Sequence, residues 1–268
     1  MLLRGSILQR IRWTLLFNTL LATAVTLAHG NLFTFKITLT PIPFTLMGLP
    51  LAIFLGFRNT TAYDRYWEGR KLWGELVLRT RNLSRQCLSL IELDQPVDPT
   101  NRAGDVRVFV HALRLHLRSQ SDDALLQRWL PAQDWPRVAQ SSVRPEAIMQ
   151  GLGQDLRQCL REGRIDPCLV AGIDTTLSAM TASAASCERI RNTPVPFSYT
   201  LLLHRTAYLY CFLLPFGLVD TTGFMTPFVV AIVAYTFFGL DALGDEIEEP
   251  FGLESNDLPL DTLCRAIE

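Results

Sequence analysis

Residues 41–73 read PIPFTLMGLPLAIFLGFRNTTAYDRYWEGRKLW, and the change of character inside this stretch decides the fold. From Ile37 to Phe57 there is no charged residue. At about 1.5 Å per residue, a helix over that run crosses a hydrocarbon core of about 30 Å. Arg58, Asp64, Arg65, Glu68, Arg70 and Lys71 then arrive in close succession, so the pattern predicts a membrane helix that leaves the bilayer at Arg58 and continues into water. Leu49, Ile53 and Phe57 are spaced i, i+4, i+8 and share one helical face. Pro50 sits among them and predicts a kink, tolerated in a membrane helix where neighbours re-satisfy the carbonyl it frees. A kinked rod with one large apolar stripe can line a constriction, or the stripe can pack against another helix; spacing leaves both open.

Toward the N-terminus, residues 13–35 carry no Lys, Arg, Asp or Glu and follow Arg4, Arg10 and Arg12. A basic start, an apolar middle and the small residues Ala22, Ala24 and Ala28 also suit a cleaved signal peptide. The run is long for that, and other membrane segments follow it, which favours an uncleaved first helix. Asn18 and several threonines make that helix moderately polar, as expected of one that packs on protein along one side. Only Lys36 separates the first and second spans, whereas Arg58, Arg65, Arg70, Lys71, Arg79 and Arg81 follow the second. The positive-inside rule therefore places the N-terminus and residues 58–191 in the cytosol and the first loop outside.

The middle region reads as helical. Lys71 with Glu75, and Glu75 with Arg79, make i,i+4 opposite-charge pairs while Leu72, Leu76, Leu83 and Leu90 continue an apolar face. Residues 94–105, DQPVDPTNRAGD, predict a loop, and residues 106–118 a short amphipathic helix with Phe109, Val110, Leu113 and Leu117 inward. His111 and His116, five apart, diverge on that helix and do not favour a shared metal site. A second irregular stretch is expected over 130–145 and a helix over about 145–162. Asp166-Pro167 then reads as a capping acid followed by proline at the first helical position.

Two more spans follow Pro194-Val195-Pro196, at about 197–219 and 222–240, joined by a loop without Lys or Arg that belongs outside. Arg205 lies toward the cytosolic end of the first of these. It either snorkels to headgroups or pairs with a carboxylate such as Asp241 on the next span. The chain ends acidic, with Asp241, Asp245, Glu246, Glu248, Glu249, Glu254, Asp257 and Asp261, for which a solvated acidic surface is the expectation.

Composition narrows the class. The 268 residues are 49% hydrophobic with mean hydropathy +0.19, between a soluble domain and a membrane bundle. A net charge of −1 leaves no footprint for nucleic acid. The six cysteines contain no Cys-x-x-Cys pair and read as reduced structural thiols, with no zinc site or other cofactor implied. No His-Glu-x-x-His, Gly-x-Ser-x-Gly, Walker loop or dinucleotide fingerprint suggests an enzyme, and no internal repeat suggests a secondary transporter.

PFTL at 43–46, FLGFRN at 54–59, AYDRYWE at 62–68, LWG at 72–74, RNTPVPFSY at 191–199 and LGDEIEEPFG at 243–252 together resemble the bestrophin family, particularly its bacterial branch. That resemblance implies an all-α fold of four transmembrane helices continuing into a cytosolic helical domain, assembled as a homopentamer around a central pore in the bacterial inner membrane, with both termini cytosolic. The expected divisions are 1–57, the first two spans including the pore neck; 58–191, the cytosolic helical domain; 192–243, the last two spans; and 244–268, the acidic cytosolic segment. Leu49, Ile53 and Phe57 match the family's neck positions, with Pro50 after the first. Cys168, following Asp166-Pro167, matches a second cytosolic aperture, where animal relatives commonly carry a branched aliphatic. Animal bestrophins clasp calcium with consecutive aspartates after Pro-Phe-Gly. Here LESND at 253–257 keeps Glu254 and Asp257 and loses the run, so calcium ligands are fewer. The resemblance implies a channel for small monovalent ions in a lipid membrane. Its bacterial branch and the acidic tail lean toward cations such as sodium, with an anion channel or a non-conducting membrane scaffold as alternatives.

Overall fold

The computed structural model describes residues 7–28, 31–32, 35–36, 40–92 and 99–267. It is all-helical apart from one short antiparallel ladder, in which Asn31 pairs with Lys36 and Leu32 with Phe35. The helices in chain order are α1 (Leu8–Leu27), α2 (Pro41–Leu90), α3 (Pro99–Leu117), α4 (Asp123–Gln127), α5 (Trp135–Gln140), α6 (Arg144–Arg161), α7 (Pro167–Asn192), α8 (Phe197–Thr222), α9 (Thr226–Glu248) and α10 (Leu260–Arg265). Among the described residues, α2, α7 and the stretch Phe197–Glu248 are long and apolar enough to cross a membrane. The helix α2 is the one read from residues 41–73. It runs 50 residues without ending at Pro50 or at the apolar-to-polar change at Arg58.

The chain folds as two compact units. The first comprises the chain up to Tyr66, Pro194–Glu249 and Glu254–Asn256. In it α1 packs on α8 and α9, and Phe44, Leu51, Leu203, Cys211, Val230 and Phe238 share one core. Lipid-embedded helices gain little from excluding water and rely on close approach through small side chains. Ala22, Ala207 and Ala234 are accordingly buried to zero exposure. A Cβ on Gly217 would collide with the Phe44 ring, so the missing side chain lets α2 approach α8 closely at that point. The hydroxyls of Thr19, Thr23 and Thr26 donate to carbonyls one turn back at 2.7–2.9 Å, which satisfies them without water. The helices α8 and α9 form a hairpin closed by a 3-10 turn at Gly223–Met225. Gly223 there adopts φ 53°, ψ −125°, a conformation open to glycine.

The second unit comprises Trp67–Thr193, Pro250–Leu253 and Asp257–Glu268. Trp73, Leu76 and Leu83 of α2, Phe109 and Leu113 of α3, Ile148 of α6, and Ile173 and Met180 of α7 make its interior. Each such side chain contributes about 1.5–3 kcal/mol of burial. The helix α7 qualifies as a span by length and composition, yet its buried face, Ile173, Leu177, Met180 and Cys187, packs within this unit beside α3 and α6. Asp166 caps it as the sequence suggests: its carboxylate accepts from the Cys168 backbone N–H at 2.7 Å.

Four local expectations change. The first helix stops at Leu27 rather than continuing to residue 35, where the chain pairs as the short ladder instead. The helix expected at 106 begins at Pro99, because proline suits the first turn and the polar residues after it form helix without any apolar periodicity to reveal it. Residues 94–98 of the expected loop lie outside the described residues. The stretch 130–145 holds α5. The C-terminal segment is also more than a solvated acidic surface, since Leu258, Leu260 and Cys264 are buried and α10 packs on α3.

Candidate functional site

The membrane part of α2 has two faces of different fate. Phe44, Leu51, Leu55, Arg58 and Ala62 are buried against their own unit. Leu49, Ile53 and Phe57 are 66%, 47% and 62% exposed. At about 100° per residue, the two rows are centred about 180° apart on the helix. The neck candidates therefore point away from the bundle that holds the helix, and Pro50 is exposed beside them. Hydrogen bonds fix the rotation: Asn59 Nδ2 donates to the Leu240 carbonyl at 3.0 Å, and Tyr199 Oη donates to the Phe54 carbonyl at 3.1 Å.

What anchors the helix most firmly was not foreseen in the sequence. Arg58, 1% exposed, donates from Nη1 to Asp241 Oδ1 at 2.8 Å, from Nη2 to Asp245, and lies 3.5 Å from Glu248 Oε2. The second Asp241 oxygen lies 2.7 Å from His204 Nδ1, and Glu248 also accepts the Val195 backbone N–H at 3.0 Å. Asp241, Asp245 and Glu248 stand at i, i+4, i+7 on α9 and so share a face; that acidic spacing was the available signal. The expected pairing of Asp241 with Arg205 is thus replaced by Arg58 and His204. Arg205 follows His204 by one residue, about 100° further round α8, and is exposed. A fully buried guanidinium needs carboxylates on several sides, and α9 supplies them.

The other candidates make no contact that defines this centre. Cys168 is a free, exposed thiol at the first turn of α7. The segment holding Glu254 and Asp257 closes on Glu246 through neutral donors, Ser255 Oγ at 3.3 Å and Asn256 Nδ2 at 3.0 Å. Among the described residues no three His, Cys, Asp or Glu side chains converge as a metal site. The acidic tail is also largely spoken for, with Asp241, Asp245 and Glu248 on Arg58 and Asp261 on Arg114 and Arg118.

The architecture defines a membrane protein: an apolar hairpin, a first helix packed on it, and a 50-residue helix that passes from apolar to charged. The chain belongs to the bacterial/fungal bestrophin family, whose model matches residues 1–268. It is 44% identical over 268 residues to the voltage-dependent anion channel-forming protein mll4386 of Mesorhizobium japonicum, covering 100% of this chain and 85% of that protein. It is 41% identical over 264 residues to the voltage-dependent anion channel-forming protein YneE of Escherichia coli, covering 98% and 86%. A crystal structure of a bacterial bestrophin homolog from Klebsiella pneumoniae superposes with TM-score 0.90 at 37% identity, covering 96% of this chain and 95% of that one.

Proposed function

We propose that this protein is an ion channel rather than an enzyme. In this reading five copies surround a pore in the bacterial inner membrane, both termini are cytosolic, and Leu49, Ile53 and Phe57 of α2 form an apolar neck. The observation that carries the reading is the pair of opposed rows on α2. One row binds the helix to its own bundle, which leaves three large apolar side chains turned outward where copies of α2 can meet about an axis. Rings of such side chains hold a pore closed by dewetting and conduct when they widen. Pro50 gives the neck a weak point one residue beyond Leu49, and Cys168 forms a second, softer narrowing in the cytosolic part.

The leaning toward cations rested on the family's bacterial branch and on the acidic tail. The anion alternative fits better: Asp241, Asp245, Glu248 and Asp261 are held by arginines, and the bacterial relatives above are named as anion channel-forming proteins. An anion such as chloride is the permeant species this favours.

Purified protein in a planar bilayer under a sodium chloride gradient tests both parts. Chloride passage gives a reversal potential of the chloride sign, up to about 59 mV for a tenfold gradient. Ile53→Ala and Phe57→Ala raise the open current. The opposite sign would overturn the anion assignment alone. Silence across voltages and salts, for wild type and both variants, would overturn conduction and leave a membrane scaffold.

A further inference from the structure

In the first unit, α1, α8 and α9 leave a crevice of about 350 Å³ walled by Phe17, Tyr208, Leu209, Phe212 and Phe238, with Asn18 and Thr14 as its polar side chains. Asn18 lies mid-way along α1 and is 3% exposed. Its Oδ1 is buried and has no hydrogen-bond partner among the described residues. A buried carbonyl left unsatisfied costs more than a formed bond gains, and hydrocarbon brings no water to relieve it. Phe17, Leu209 and Phe212 are each more than 40% exposed, so the crevice opens on the outer surface of the unit.

We propose that this crevice binds a membrane-dissolved amphiphile consisting of an aromatic ring with a short alkyl tail and a single hydroxyl, of the alkylphenol class. The hydroxyl donates to Asn18 Oδ1 and accepts from the same amide, so either orientation of the amide serves. The ring lies among aromatic neighbours already arranged edge-on or tilted, Tyr208 and Phe238 being 4.7 Å apart between centroids at 45°. The volume is roughly twice the ~150 Å³ that accommodates benzene in an apolar cavity, which leaves room for the tail. Tyr208 also stands 4.3 Å from the His204 ring that bonds Asp241, so an occupant would touch a side chain adjoining the Arg58 centre.

The test measures saturable binding of 4-hexylphenol and of hexylbenzene to the full-length protein in lipid nanodiscs, against protein-free nanodiscs. It uses no current and is independent of whether the protein conducts. The phenol binds about tenfold tighter than hexylbenzene, the difference of one well-made hydrogen bond. Asn18→Leu weakens the phenol about tenfold and leaves hexylbenzene unchanged. Phe212→Trp, made from the exposed wall where folding is least at risk, fills the crevice and abolishes both. No binding in excess of protein-free nanodiscs, as when a second copy of the chain seats a side chain there, would overturn the proposal. So would phenol binding indifferent to both variants.

Discussion

Arginine meets carboxylate in both units, under opposite conditions. In the first, Arg58 is buried and shared among Asp241, Asp245 and Glu248 on one face of α9. In the second, Arg114 on α3 and Arg118 just past its end clasp the two oxygens of Asp261 at 2.5 and 2.7 Å, with that aspartate 52% exposed. The chemistry is the same and the consequence is not. Water screens the Asp261 clasp and competes for it, so the clasp contributes little and adds mainly to what Leu258, Leu260 and Cys264 achieve by burial. Around the Arg58 guanidinium and Asp241 water is excluded, and only Asp245 keeps substantial exposure, at 34%. The charges there are costly to bring together and more costly to separate, because whichever partner remains is left uncompensated. Such a centre fixes which face of α2 turns inward, and by that choice which face Leu49, Ile53 and Phe57 present.

The comparison breaks most sharply at Arg58. Arg58→Met keeps most of the packing volume and removes the guanidinium that Asp241, Asp245 and Glu248 share, a loss of about 3–5 kcal/mol, read as an early thermal unfolding transition in detergent. Adding Asp241→Asn and Asp245→Asn recovers part of that loss, because the stranded charge rather than the missing contact is the main cost. A single variant melting with the wild type would mean that the carboxylates find another cation.

The clasp at Asp261 responds on a smaller scale and to pH. Its hydrogen bond from Arg118, together with the charges of Arg118 and Arg114, holds the Asp261 carboxyl below the usual carboxylate range despite some desolvation. A depressed folded pKa means a contribution present in full above the unfolded value of about 3.9 and lost as pH falls through the folded one. Asp261→Asn is therefore expected to lower stability by about 0.2–1 kcal/mol at neutral pH. Wild type and variant converge as the solution is acidified below about pH 4, and also converge at neutral pH in high salt. A gap that persisted in strong acid would trace the effect to packing.

The fold was legible where one physical property changes abruptly. Charge disappears over 37–57 and returns at Arg58, which identifies α2, and Asp166-Pro167 announces α7 with a cap the structure makes at 2.7 Å. The row Leu49, Ile53, Phe57 is visible in its spacing; the buried row opposite it is defined only by the helices it meets. Pairing across long separations was not legible. Arg58 and Asp241 are 183 positions apart, and nothing in the sequence ranks Arg58 above Arg205, which lies on a neighbouring span. The first turns of α3 were hidden for a different reason: PTNRAGD has no apolar periodicity, so its helix gives no signal beyond the proline that starts it.

Arg79 and Glu75 provide the weak end of the series. They pair at 2.7 Å one turn apart on α2 with both side chains more than a third exposed. This was the pairing read directly from i,i+4 spacing, and it is the one that stability notices least. Glu75→Gln removes the charge and keeps the shape, for an expected cost of about 0.3–0.5 kcal/mol that vanishes at high salt. With Arg58→Met and Asp261→Asn measured in the same buffer, the three losses fall in the order in which the arginines are buried, Arg58 at 0% exposure, Arg118 at 7% and Arg79 at 35%. A loss at Glu75 comparable with that at Arg58 would show that distance, and not exclusion of water, sets the worth of an ion pair in this protein.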